Sequence, residues 1–173
     1  QLVESLGRLL RAIIGKREAL VKLSDELEIV SHYVTIQRFR FGDRLEFTLT
    51  CDDALMDAFI PKLTIQPLVE NAVVHALEET DGVCTIEVDI GETDSGMVIR
   101  VADDGPGIGE DVIAAMKAGA LKPKGSGIGL ANIEERLKLL FGDNADLIVQ
   151  RRPEGGTAVT IRMPVRRKEE NDV

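Results

Sequence analysis

After residue 44 the sequence alternates apolar and polar residues in steps of two at five places: LEFTLT at 45–50, CTIEVDI at 84–90, MVIRVA at 97–102, LIVQR at 147–151 and AVTIRM at 158–163. A period of two sends alternate side chains to opposite sides of an extended chain, so these stretches predict half-buried strands. The connection Gly91–Gly96 is short and polar, which makes 84–90 and 97–102 an antiparallel hairpin. Helical patterns fall between the strands at 64–79, 110–118 and 129–141. The last carries Leu130, Ile133, Leu137, Leu140 and Phe141 on one face, with Gly142 at its C-terminal end. Together they predict an α+β fold, a two-layer sandwich of helices on a mixed, mostly antiparallel sheet, spanning about 43–165.

Upstream the period is helical. Leu2, Leu6, Leu9, Leu10, Ile13 and Ile14 recur at helix spacing and Gly15 marks a stop. A second helix is expected after Ser24 as N-cap, with Asp25 and Glu26 suited to a helix N-terminus, running toward Phe39 before the Gly42-Asp43 break. Residues 1–42 are therefore read as partial dimerisation or linker helices, packing either on their own domain or on a partner. The tail 166–173, RRKEENDV, is charged and expected to fray. Because the chain starts at Gln1 inside a helical pattern, it is expected to be a piece of something longer. No run approaches the roughly 18 apolar residues of a membrane span, and the piece is expected to be soluble.

Charge narrows the partners. The net charge is −9, and it is uneven: residues 1–44 carry 8 basic and 6 acidic side chains, residues 45–173 carry 13 and 24. Binding a phosphate backbone needs clustered Lys and Arg, and stacking on bases needs aromatics, which make up only 3% of the chain, so no nucleic-acid partner is expected. Cys51 and Cys84 lie 33 positions apart without metal-type spacing, and are read as buried free thiols of a reducing, cytoplasmic compartment.

Three motifs carry chemistry. On the 64–79 helix, Val69, Ala72, Val73, Ala76 and Leu77 gather on one side, and Glu70, Asn71, Val74, His75 and Glu78 on the other. Asn71 and His75 could simply point to water. Asn is a poor helix former, however, and its amide oxygen suits Mg²⁺, an ion held by few side chains plus substrate phosphates. At 103–109, DDGPGIG leaves Asp103 at a strand end, able to accept from an exocyclic amine, with Gly105 and Gly107 allowing close approach of a ligand; alone it reads first as a plain Asp-Gly turn. At 124–137, KGSGIGLANIEERL runs Gly125, Gly127 and Gly129 into a helix N-terminus, a ready anion site. The spacing G-x-G-x-G fits neither the dinucleotide nor the Walker pattern.

Their order is more telling than any one of them. An Asn-bearing helix, Asp-x-Gly-x-Gly after a strand, a glycine loop entering a helix, and Gly156-Thr157 before a last strand together resemble the Bergerat ATP-binding fold of the GHKL superfamily, shared by gyrase, mismatch-repair ATPases, heat-shock chaperones and histidine kinases. More narrowly, PLVENAVVHAL, DGPGIG, GSGIGLANIEERLKLLFG and GGTAVTIRMP resemble the catalytic domain of the LytS-like, membrane-anchored sensor histidine kinases that partner LytTR-type response regulators, and DELEIVSHYVTIQRFRFGDRLEF resembles the segment joining dimerisation helix to catalytic domain. The resemblance implies ATP and Mg²⁺, with Asn71 ligating the metal and His75 lining the site. Asp103 and Thr157 would serve the adenine, where Gly105, Gly107 and Ile108 shape a turn. Gly125, Ser126, Gly127, Ile128, Gly129 and Leu130 would form the phosphate loop under a lid at 108–124, where Gly119 and Pro123 would act as hinges and Lys122 or Lys124 could reach a phosphate. Val74 replaces a Lys usual in relatives, and Ala76 a common Gly.

The resemblance also separates reactions. Hydrolysing relatives carry a water-activating Glu one turn before the Asn, where this chain has Pro67, while Glu70 lies about 100° away, able to orient or polarise. Glu70 is retained as the candidate catalytic group. Phosphoryl transfer to a protein nucleophile follows, with the acceptor His on an upstream dimerisation helix of a homodimer. His32, followed by Tyr33 rather than an acid, is read as an ordinary helical histidine. An anti-sigma-type serine kinase and a nucleotide-sensing module without transfer are the alternatives.

Overall fold

The computed structural model describes residues 7, 19–78, 80–117 and 127–167. Apart from Gly7, the expected helix at 2–14 lies outside the described residues, as do the 118–124 part of the lid with Gly119, Lys122, Pro123 and Lys124, the following Gly125 and Ser126, and residues 168–173.

Strand β1 (Leu20–Lys22) leads into helix α1 (Leu23–Phe41), followed by β2 (Leu45–Cys51), β3 (Phe59–Pro61) and helix α2 (Ile65–Val73), which a single π-helical turn extends over Val74–Glu78. Then come β4 (Cys84–Thr93), β5 (Gly96–Asp103), α3 (Glu110–Lys117), α4 (Gly127–Phe141), β6 (Asp146–Arg151) and β7 (Thr157–Met163). The main sheet has the order β2-β4-β5-β7-β6, with β2 and β4 parallel and the other pairs antiparallel. All five expected strands are present, and the sheet is mixed as anticipated. The hairpin is tighter than the reading of 91–96 as a loop, since pairing continues to Thr93 opposite Gly96 and leaves only Asp94 and Ser95 to turn.

Alternation does its work on this sheet. Across the strands, Val88, Val101, Val159 and Val149 form one cross-strand row and Ile90, Ile99, Ile161 and Leu147 the next, facing the helices. The intervening positions Glu87, Asp89 and Arg100 face the other way, and Arg100 pairs with Asp89 at 3.3 Å. The helices supply the opposing apolar stripes: Val69, Ala72, Val73, Ala76 and Leu77 of α2, and Leu130, Ile133, Leu137 and Phe141 of α4, are all buried. Each large side chain so buried is worth about 1.5–3 kcal/mol.

Helix α1 packs on the same core through Leu23, Leu27, Val30, Tyr33 and Val34, while Phe39 near its end is 71% exposed. Its start differs from expectation. Lys22 is the N-cap, without a side-chain capping bond, and Ser24 lies inside the first turn, because Leu23 and Ser24 donate their N–H groups to Ala58 and Met56 carbonyls across the chain. β1 and β3 form a separate two-stranded sheet, too short to show alternation in the sequence. Arg166 and Arg167 are not frayed. Arg166 accepts from the Phe59 N–H and stacks over Phe141, and Arg167 pairs with Glu92 at 2.6 Å. Both thiols are free, Cys84 buried and Cys51 only partly so. Among the described residues no helix is long and apolar enough to cross a membrane.

Candidate functional site

The α2 helix, the β5–α3 turn, the start of α4 and the β6–β7 turn converge at one end of the sheet. On α2 the polar face falls as the 3.6-residue period requires: Glu70 is exposed, Asn71 and His75 are half-buried. A Cβ placed on Gly129 would lie 3.7 Å from Asn71 Nδ2 and 4.0 Å from Pro67 Cβ, so the α4 N-terminus sits directly against the α2 face that carries Asn71. The first turn of α4 is made by Gly127, Ile128, Gly129 and Leu130, Leu130 being buried. Gly125 and Ser126 lie outside the described residues.

Asn71 Nδ2 is buried and has no hydrogen-bond partner among the described residues. A buried amide end left without a partner costs about 1–3 kcal/mol, so the site fits a polar ligand at this atom. As drawn, the NH₂ can donate to a phosphate oxygen; rotated by 180°, the amide presents its oxygen to a cation. Among the described residues no group of three or more His, Cys, Asp or Glu is arranged to hold a metal. A divalent ion beside Asn71 would therefore take its remaining ligands from a bound molecule such as a phosphate chain.

The opposite end is closed. Asp103, 5% exposed, ends β5, and its Oδ1 accepts from the Gly105 N–H at 3.0 Å and the Thr157 N–H at 3.3 Å. Burial pushes its carboxyl above the ordinary range; the two N–H groups and Arg152 oppose that, and Asp104 adds to it. Thr157 Oγ1 accepts from the Ile108 N–H at 3.1 Å, so Asp103, Ile108 and Thr157 are tied into one knot, to which Arg152 adds a bond to the Asp103 carbonyl at 3.0 Å. Glycine is required here. A Cβ on Gly105 would stand 2.7 Å from Ala76 Cα, and Gly156, at φ 88°, packs against the Asp103 carbonyl. Ala76 thus fits where it does because residue 105 has no side chain.

The α2 helix departs from the continuous helix expected over 64–79, opening into the π turn at Val74–Glu78 beside Gly105. Side chains bind carbonyls in this turn and just beyond it. Cys84 Sγ and Thr80 Oγ1 donate to Ala76 O at 3.0 and 2.5 Å, while Arg44 donates to Leu77 O, Thr80 O and Gly82 O. Arg44 gave no sequence signal, since its three acceptors lie 33 or more positions downstream. Glu70 accepts from Gln66 Nε2 at 3.1 Å, and its charge, with that of Glu78, adds to the burial that raises the Tyr33 phenol on α1 above its usual range. The structure therefore holds Glu70 on the α1 side of α2, and Asn71 on the α4 side. His32 stays on α1, 3.5 Å from Glu28.

Residues 57–167 match the family described as histidine kinase-, DNA gyrase B-, and HSP90-like ATPase, and residues 1–45 match the histidine kinase family. The chain is 42% identical over 166 residues to the sensor histidine kinase YesM of Bacillus subtilis and 35% identical over 168 residues to YpdA of Escherichia coli, covering 96% of this chain each time. It spans only 28% and 29% of those relatives' lengths. Among solved structures, the nucleotide-free catalytic domain of the histidine kinase ThkA superposes with a TM-score of 0.62 at 18% identity, covering 84% of this chain and 93% of that one. Full-length ShkA in complex with AMPPNP superposes with a TM-score of 0.61 at 20% identity, covering 95% of this chain and 35% of that one. At these identities the likeness is one of fold.

Proposed function

This chain belongs to the histidine kinase-, DNA gyrase B-, and HSP90-like ATPase family, and on that premise we propose that it is the ATP-binding catalytic domain of a sensor histidine kinase, passing the γ-phosphoryl group of ATP to a histidine on an upstream dimerisation helix and thence to a response regulator. The observation that carries this reading is the pairing of one end whose polar groups are already bonded, at Asp103, with another where Asn71 keeps a buried amide nitrogen without a partner among the described residues. Asp103 would accept from the adenine amine. Gly105, Gly107, Ile108 and Thr157 would shape the wall around the base, and His75 would line the space between. Asn71 would ligate Mg²⁺, with Gly125, Ser126, Gly127, Ile128, Gly129 and Leu130 around the phosphates. The bound Mg²⁺ would supply charge neutralisation for a transfer whose demands are mainly alignment and electrostatics.

Transfer is favoured over hydrolysis by what faces the phosphate end. The α2 position one turn before Asn71 and on the same side is Pro67, which lies against Gly129 and holds no base. Glu70 would orient or polarise from the neighbouring face. Residues 1–42 are proposed as linker and dimerisation helices, 43–165 as the catalytic domain and 166–173 as a charged tail. The parent protein is proposed to be a membrane-anchored homodimer acting on a LytTR-type regulator.

The test adds the dimerisation helix of the whole protein in trans with labelled ATP and Mg²⁺. Acid-labile phosphate on that helix is expected. Acid-stable phosphate would favour a serine kinase, absence of transfer a nucleotide-sensing module, and phosphate on His32 would refute the reading of the acceptor.

A further inference from the structure

Three elements meet where the chain enters α2. Glu26, in the first turn of α1, has no exposed surface, yet it does not face its own helix. Its Oε1 accepts the Leu63 N–H at 2.6 Å and its Oε2 accepts the Thr64 and Ile65 N–H groups, each at 3.1 Å. These are N–H groups that a helix start leaves without intrahelical acceptors, and Thr64, the N-cap residue, makes no side-chain cap because its hydroxyl donates to Pro61 O at 2.6 Å. From the α4 side Arg136 donates to the Lys62 and Leu63 carbonyls, the latter at 2.9 Å. Between the two grips Leu63 is held at φ 58°, the one non-glycine residue with positive φ among the described residues. Burial raises the Glu26 carboxyl, and the backbone N–H groups of 63–66 oppose it; burial lowers the Arg136 guanidinium, and Glu26 opposes that. A buried carboxylate, a half-buried guanidinium and a left-handed Leu on one turn make a stiff seat. Asn71 stands six residues further on, about 9 Å along a rigid helix.

We propose that Glu26 and Arg136 are positioning residues for the phosphate end: by gripping the Lys62–Ile65 backbone they set the height and rotation of α2, and so the place of the Asn71 amide against Gly129. This rests on the reading of Asn71 as the metal-bearing residue. It also gives α1 a direct hold on the nucleotide site, since any displacement of α1 moves the carboxylate on which α2 is seated.

The test titrates the full chain with ATP, with and without Mg²⁺, for Glu26→Gln, Arg136→Gln, Asn71→Ala and the double variant Glu26→Gln/Asn71→Ala, with thermal unfolding as a check on folding. Glu26→Gln keeps the shape but turns an NH₂ group toward N–H donors. It is expected to lose roughly tenfold in Mg²⁺-dependent affinity, the worth of one well-placed polar contact to a charged group, while Mg²⁺-free binding, carried by Asp103, stays within about twofold. The double variant is expected to bind no more weakly than Asn71→Ala, since residues acting through one another are not additive. Equal loss with and without Mg²⁺, or an additive double variant, overturns the proposal. Should Glu26→Gln fail to fold, Arg136→Gln must show the same Mg²⁺-selective loss, and its failure to do so overturns the seat. If Asn71→Ala abolishes the Mg²⁺ dependence and neither seat variant touches it, the seat alone is wrong. If Asn71→Ala leaves the Mg²⁺ dependence intact, the site reading falls and the seat with it.

Discussion

The two ends of the site are built on opposite plans. At the end proposed for the base the polar groups are already in use: Asp103 Oδ1 takes two backbone N–H groups, Thr157 takes a third from Ile108, and Arg152 holds the carbonyl behind them. At the end proposed for the phosphates Asn71 keeps a buried amide nitrogen with no partner among the described residues, next to a glycine. The first plan stabilises the fold without a ligand. The second costs stability and stores a contact for one. On the proposed reading, such a site would meet the base with a wall whose polar groups are already bonded and the charged tail with a group left unbonded for it.

The sharpest way to break this contrast is to damage the wall. At Gly156 a Cβ would run into the Asp103 backbone, and φ of 88° strains any L side chain. Gly156→Ala is expected to cost about 3 kcal/mol of stability, read as a lowered midpoint in denaturant, with nucleotide binding lost along with the knot. A variant of normal stability would show that the wall is softer than its geometry implies. Next in size is Asp103→Ala, expected to lower ATP affinity roughly ten- to hundredfold with or without Mg²⁺, and to lower the midpoint as well because the Gly105 and Thr157 N–H groups lose their acceptor. Calorimetric titration in both conditions checks it.

Asn71→Ala should behave in the opposite sense. It deletes an unpartnered buried group, so the unfolding midpoint is expected to stay level or rise, while the Mg²⁺-dependent part of ATP affinity falls roughly tenfold. A large drop in stability would mean that Asn71 serves the fold, and the contrast between the two ends would disappear.

The two ends also differ in how they could be read beforehand. Asp103, Gly105, Asn71 and Gly129 announce themselves because short-range patterns mark them: a strand end, a glycine pair, a poor helix former inside a helix. What tunes them is silent. Glu26 reads as an ordinary acidic residue at a helix start, whereas it caps a different helix 37 to 39 positions away. Arg44 reads as a surface charge, whereas it gathers three carbonyls at the far end of α2. Side chains that reach across the fold leave no period in the chain. Nor does the π turn, which lies against Gly105, almost thirty residues on. Local chemistry was legible; the devices that fix its position depend on the tertiary fold.

The smallest expected effect probes the wall from within. Burial raises the Asp103 carboxyl above its unfolded value despite its two N–H partners. A group whose folded pKa is raised favours the folded state while protonated, below the unfolded pKa, and that stability is lost as pH climbs through the folded pKa. The native carboxylate is thus a burden on stability at neutral pH, which the proposed hydrogen bond to a ligand would explain. Asp103→Asn keeps an oxygen for the Gly105 and Thr157 N–H groups and cannot ionise. Relative to the native chain it should therefore gain stability between acid and neutral pH, opposite to the sign for a carboxylate held by an ion pair. Unfolding midpoints of the two proteins across that range decide the matter. If the gap widens in favour of the native chain toward neutral pH, the two N–H groups and Arg152 outweigh desolvation, and the base end resembles an ion-pair site more than a closed wall.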